Sequence, residues 1–269
     1  MNTNKTQANL RLEGKFALVC GASKGIGAAA AHALADLGAD VTLVARTEKS
    51  LKATFQQLRA EGRQRHGYFT ADFDDQAGLQ KTLDEWLKHN PKVHILVNNT
   101  GGPPGGPVNA AKPEEFLAAF NRHLICNQLL VQSLWPRMRA AGYGRIINVI
   151  STSVKEPIKG LGVSNTVRGA VASWAKTLAG ELGQYGITIN NVLPGYTRTA
   201  RLETLFSARA EREKRSVADI EAEARAIIPL GRFAEAEEIG AAIGFLASPA
   251  ASYITGVSLP VDGGRIQSL

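Results

Sequence analysis

Residues 16–27 read Phe-Ala-Leu-Val-Cys-Gly-Ala-Ser-Lys-Gly-Ile-Gly, followed by Ala-Ala-Ala-Ala-His-Ala-Leu-Ala-Asp-Leu to residue 37. Phe16 to Cys20 is an apolar run of strand length, and Ile26 to Leu37 has the length and composition of a helix. Between them lies Gly21-Ala-Ser-Lys-Gly25-Ile-Gly27. Glycines there permit a tight turn, let the backbone approach a diphosphate and allow close helix–sheet packing. The helix N-terminus adds free N–H groups and a favourable dipole. An ordinary βα turn is the alternative, but strand and helix both stand where a phosphate loop needs them. Gly21, Ser23, Lys24, Gly25, Ile26 and Gly27 are therefore candidate cofactor-binding residues.

The same alternation runs outward to the end of the chain. Val41–Ala45, Gly67–Thr70, Val93–Val97, Ile146–Ile150, Ile187–Leu193 and Val257–Val261 are strand-like. Helical stretches separate them near Glu48–Glu61, Gln76–His89, Pro113–Arg139, Ser164–Tyr185 and Ala236–Ser248. This predicts an α/β fold, with seven strands in right-handed βαβ units and a doubly wound parallel sheet carrying helices on both faces. A length of 269 residues suits one domain, expected over 12–269 behind a flexible arm at 1–11. Residues 198–228 are polar and helical in composition and follow a strand end, where ligands bind in such sheets. They read as a lid, or equally as a solvated helical hairpin or a subunit contact.

The 31 Lys and Arg against 24 Asp and Glu give a net charge of +7. These cations are scattered, and the densest group, Arg209 to Arg215, is interleaved with glutamates as on a solvated helix face. That excludes a nucleic-acid footprint and suits a small anionic cofactor. No run of ~18 apolar residues predicts a spanning helix. The polar first fifteen residues lack the apolar core of a secretory signal. Cys20 and Cys126 form no disulfide or zinc pattern. We therefore expect a cytoplasmic protein with no membrane, metal or nucleic-acid partner. At the end of the second strand a carboxylate would bind the adenosine ribose 2′-OH and repel a 2′-phosphate. The chain has Ala45 and Arg46 there, with Lys24 in the glycine loop. This predicts NADP(H) in preference to NAD(H).

The Gly-x-x-x-Gly-x-Gly spacing resembles the short-chain dehydrogenase/reductases, and further motifs agree over roughly residues 12–266. Asn98-Asn99-Thr100-Gly101 resembles the family's Asn-Asn-Ala-Gly element, which lines the adenosine side and steadies the sheet. Asp72-Phe73 resembles its adenine-contacting pair. Pro194-Gly195-Tyr196-Thr197-Arg198-Thr199 resembles the element bordering the nicotinamide, with Thr199 near the carboxamide or diphosphate. Pro229 to Arg232, Phe245 to Ser248, Tyr253 to Gly256 and Val261 to Gly264 are similar to the 3-oxoacyl-carrier-protein reductase branch. The resemblance implies a Rossmann-like fold and cofactor contacts from Asn99, Gly101, Asp72, Phe73, Pro194, Gly195, Thr197 and Thr199. It also implies a homotetramer, with a dimer next, through the long helices and the C-terminal segment.

The catalytic positions depart from that pattern. The resemblance implies a Ser, a Tyr-x-x-x-Lys pair and an upstream Asn. Counting from Gly144-Arg145 places the serine at Ser151; Ser164 stands where the tyrosine belongs, Arg168 where the lysine belongs and His123 where the asparagine belongs. Ala175 to Glu181 fits downstream without a gap, so these are substitutions. Ser164 and Arg168, at i and i+4, share one helix face. Arg168 still donates to ribose hydroxyls, but it stays protonated. A serine hydroxyl needs an adjacent base to ionise. His123 is a proton relay titrating near neutrality, or a buried hydrogen-bonding residue. Tyr196 is a replacement donor or a pocket wall. Gly101 to Pro107 is expected to shape the pocket floor.

The reading is an NADP(H)-dependent oxidoreductase of a carbonyl or secondary alcohol, of 3-oxoacyl or other ketone type, with an altered proton donor. Two others stay open: an NADP(H)-binding sensor or assembly partner without turnover, and a non-redox enzyme on the same scaffold.

Overall fold

The structure is a computed structural model that describes residues 9–60 and 64–268. Its centre is one parallel sheet of seven strands: β1 Phe16–Cys20, β2 Asp40–Ala45, β3 Gly67–Thr70, β4 Ile95–Asn98, β5 Gly144–Val149, β6 Ile187–Pro194 and β7 Ser258–Val261. They lie in the order β3-β2-β1-β4-β5-β6-β7. The chain winds outward from β1 to β3, then starts again at β4 on the other side of β1. The loops after β1 and β4 therefore face each other across the crevice where such sheets bind ligands.

Strands buried on both faces explain the continuous apolar runs. One face packs against α1 Gly25–Asp36, α2 Glu48–Gln57 and α9 Ala236–Ala247, through Ala31, Leu34, Leu51 and Ile243. The other packs against α3 Gln76–His89, α5 Cys126–Ala140 and α6 Gly162–Leu182, through Leu83, Leu130, Leu134 and Ala179. In α3, Asp75 accepts from the Gly78 N–H at 2.9 Å and caps the helix.

Most expected ends are met or shift by one to three residues, and the larger differences lie elsewhere. The helix expected over 113–139 is α4 Pro113–Phe120 and α5, joined by a π-helical turn over Asn121–Ile125 that contains His123. Such a turn is invisible to hydrophobic periodicity, because it adds one residue without breaking the helix. α2 ends at Gln57, whereas its expected end, Glu61, lies outside the described residues. Residues 1–8 of the expected arm also lie outside them; Asn9 already accepts from the Ala250 N–H at 2.9 Å. The 198–228 segment forms α7 Ala200–Glu213 and α8 Val217–Ala226, with a small core of their own including Leu202, Phe206 and Ile220.

Candidate active site

The phosphate loop is built by its glycines. Gly21 and Gly25 have φ of +61° and +57°, a left-handed region that other residues rarely adopt. A Cβ on Gly27 would collide with the Gly21 carbonyl, and one on Gly21 would collide with the Asn99 carbonyl. Asn99 holds the turn from across the crevice, its Nδ2 donating to the Cys20 and Gly21 carbonyls at 3.3 Å each. At the opening of α1, Lys24 makes no side-chain cap, so the first amides face an open cradle. Thr199 closes it on one side: a Cβ on Gly25 would lie 3.2 Å from Thr199 Cγ2. Lys24 and Arg46 are exposed beside it. An uncapped helix N-terminus, a glycine cradle and two exposed cations fit a diphosphate-bearing, 2′-phosphorylated cofactor.

Asp74, beyond the end of β3, comes within 4.0 Å of Arg46. Its tight partner is Arg122, whose Nε donates to it at 2.6 Å, so Arg46 stays 68% exposed. Asp72 is exposed and accepts from the Asp74 N–H, while Phe73 is buried against the sheet and its carbonyl accepts from the Cys126 thiol. Pro194 ends β6, and the Gly195 N–H donates to the Val261 carbonyl. Thr197 is buried and donates to the Gly195 carbonyl at 3.1 Å, so Thr199 is the threonine that borders the glycine loop.

The opposite wall carries the reactive candidates. Ser151, just past β5, accepts from the Ser153 N–H at 3.1 Å, which leaves its O–H to donate elsewhere. Arg168, 8% exposed, donates from Nη1 to the Val149 carbonyl at 2.9 Å, and its Nε has no partner among the described residues. Burial, then Arg201, lowers its pKa to about 10. Ser164 stands one turn before it on α6.

His123 pairs through Nδ1 with the Thr100 hydroxyl at 2.6 Å and leaves Nε2 unpartnered among the described residues. It does not titrate near neutrality. Burial, followed by Arg168, Arg122 and Arg201, pushes its pKa down to about 2, so the imidazole is neutral. Tyr196 packs against the small core of the 198–228 helices. Its ring packs 5.6 Å from Phe206 and 5.9 Å from Phe233, under the Arg265 guanidinium. The 101–107 loop is tied down: Gly106 donates to the Gly160 carbonyl and accepts from the Gly162 N–H.

Arg201, Asn148, Asn191 and Ser258 lie outside the sequence reading, which named Asn98 as part of an element that steadies the sheet. Arg201 reaches the site by donating to the Pro103 carbonyl at 2.6 Å. Asn98, Asn148, Asn191 and Ser258 stand in register across β4, β5, β6 and β7 and form one hydrogen-bonded row, with distances of 2.8, 2.9 and 3.1 Å. A polar residue near the end of each of several apolar strands was the available signal for that row. Nothing local announced Arg201. Among the described residues, no cluster of His, Cys, Asp and Glu could hold a metal, and no helix is long and apolar enough to cross a membrane.

Comparison with known proteins places this architecture. A family model described as enoyl-(acyl carrier protein) reductase matches residues 21–265. The 3-oxoacyl-acyl-carrier-protein reductase of Pseudomonas aeruginosa is 33% identical over 96% of this chain and 100% of its own. The L-sorbose reductase of Gluconobacter frateurii, solved with NADPH and L-sorbose, superposes with a TM-score of 0.90 at 27% identity, over 97% of this chain and 100% of that one. A solved short-chain dehydrogenase/reductase family protein gives 0.80 at 32% identity, over 95% and 99%. The chain, with its seven-stranded parallel sheet and glycine cradle, belongs to the short-chain dehydrogenase/reductase family.

Proposed function

We propose that this chain is an NADP(H)-dependent oxidoreductase of a carbonyl or secondary alcohol, with an altered proton donor. The observation that carries this is the pairing of two walls: a glycine cradle with an uncapped helix N-terminus on one, and Ser151 with a free O–H on the other. The binding of NADP or NADPH by solved relatives, including a 3-oxoacyl-acyl-carrier-protein reductase of Agrobacterium tumefaciens at 25% identity, supports the cofactor.

When bound, NADPH supplies a hydride. In this reading the amides of Gly21, Ser23, Gly25, Ile26 and Gly27 hold the diphosphate, and Lys24 and Arg46 hold the 2′-phosphate. Asp72, Phe73, Asn99 and Gly101 line the adenosine side; Pro194, Gly195 and Thr199 border the nicotinamide, with Thr197 bracing that turn. Arg168 donates to the nicotinamide ribose. The Ser151 O–H holds the substrate oxygen, and the Arg168 cation stabilises negative charge developing on it. The proton comes from water or through the neutral His123, with Ser164 as a hydroxyl on the path. The 198–228 helices close over the site.

A second reading, a nucleotide-binding protein without turnover, draws on the state of the candidate donors. His123 stays neutral, Tyr196 is held by aromatic packing, and no phenol stands at position 164. Ser151→Ala separates the two: in an oxidoreductase, turnover collapses while NADPH affinity is unchanged. NADPH binding with no turnover on any ketone in the wild type favours the second.

A further inference from the structure

Two guanidinium groups meet in the candidate active site with no carboxylate between them. A Cβ placed on Gly102 would lie 3.5 Å from Arg201 Nη2 and 3.6 Å from Arg168 Nη2, so the two nitrogens are no more than about 7 Å apart. Among the described residues each is tethered to a carbonyl alone, Arg201 to Pro103 at 2.6 Å and Arg168 to Val149 at 2.9 Å. Neither forms an ion pair among the described residues, although other arginines there do, Arg122 with Asp74, Arg209 with Glu213 and Arg232 with Glu238. Arg168 is more than nine-tenths buried, and its Nε has no partner among the described residues.

A buried, unpaired cation is costly, and a second like charge beside it adds repulsion. The neighbouring groups offer no relief. Burial keeps His123 neutral, and Arg122 is already paired with Asp74. An arrangement that is unfavourable in the free protein but persists in a site points to an anion from outside. The cofactor diphosphate is the obvious rival, but its cradle follows β1 at the opening of α1. The arginine pair instead stands past β4 and against the end of β5, two residues before Ser151. A planar carboxylate accepting hydrogen bonds of about 2.8 Å from a guanidinium at each end spans such a gap.

We infer that Arg201 and Arg168 form a carboxylate-binding subsite, so the substrate is an oxo acid or hydroxy acid whose carboxylate bridges these two residues while its reacting oxygen meets Ser151. This rests on the oxidoreductase reading above. Arg201, exposed on the first turn of α7, would fasten the mobile end of the substrate. Substrate binding would thereby be coupled to the helix pair that covers the site.

The test is calorimetric titration of the NADP⁺-saturated protein with oxamate and benzoate, each paired with its neutral methyl ester. We expect at least one carboxylate to bind and neither ester to do so. Arg201→Leu should weaken the carboxylate at least tenfold, Arg201→Lys should retain part of the affinity, and NADP⁺ affinity should stay within twofold. Binding by neither carboxylate overturns the subsite, as does equal binding by the Arg201→Leu variant. A loss that falls on NADP⁺ instead also overturns it and gives Arg201 to the cofactor diphosphate. If NADP⁺ does not bind the wild type at all, the oxidoreductase reading fails. The same titration on the free protein then decides the carboxylate subsite alone.

Discussion

Arg46 is 68% exposed, with only a 4.0 Å contact to Asp74, so its guanidinium is available to a 2′-phosphate. Charge-assisted hydrogen bonds contribute about 1.5–3 kcal/mol. Arg46→Ala should therefore weaken NADPH about ten- to hundredfold and leave NADH almost unaffected; equal losses in fluorescence titrations would remove the 2′-phosphate role. Ser151→Ala should lower turnover about 10²–10³-fold, as loss of an oxyanion donor does, with NADPH affinity retained. His123 and His94 set an acid limit. Their folded pKa values are about 2 and about 4, depressed mainly by burial from an ordinary 6.5. Below pH 6.5 the unfolded chain takes up protons that the native chain refuses. The associated stability is complete above 6.5 and is lost as pH falls, through both histidines down to about 4 and through His123 alone below that. Each contributes a slope of about 1.4 kcal/mol per pH unit. In urea unfolding, His123→Gln should flatten that slope by one proton; an unchanged slope would mean the ring is charged or accessible in the native state.

At the scale of elements, the asparagine row is the most exposed to test. Asn148 sits at its centre, donating to Asn191 and accepting from Asn98, with no solvent access. Asn148→Leu strips both neighbours of partners inside an apolar sheet. Each orphaned group costs about 1–3 kcal/mol, so a loss of about 2–4 kcal/mol is expected in denaturant unfolding; a neutral change would show that the row carries no stability. Most elements were legible because their apolar runs must be buried. Phe16–Cys20 and Ile187–Pro194 have no alternative to the middle of a sheet. The glycine loop was legible because its backbone geometry demands glycine. What escaped depends on residues distant in sequence. Asn148 acquires meaning only through register with Asn98 and Asn191. Arg201 acquires it only where α7 returns to the Pro103 loop. The neutrality of His123 follows from burial and three arginines, of which Arg168 and Arg201 lie far from the π-helical turn in sequence.

For the whole molecule, the +7 charge includes the arginines of the site, Arg168 and Arg201, while the 198–228 helices carry a nearly balanced solvated network in which Arg209 and Arg215 both pair with Glu223. Exposed apolar side chains include Leu117 and Phe120 on α4, Ile227 and Leu230 after α8, and Tyr253 and Val257 ahead of β7, as interaction surfaces do. We expect a homotetramer in sedimentation at micromolar concentration; a monomer alone would contradict that assembly. The proposed site moves a hydride with Ser164 and Arg168 where the family resemblance implies a tyrosine–lysine pair. The most direct measurement is single-turnover reaction with NADPH deuterated at C4, each face separately, against ketones, 2-oxo acids and 3-oxoacyl thioesters, with products read by mass spectrometry. We expect deuterium from one face only in the alcohol, lost in Ser151→Ala. Tight NADPH binding with no label in any product would contradict the oxidoreductase and leave a nucleotide-binding protein.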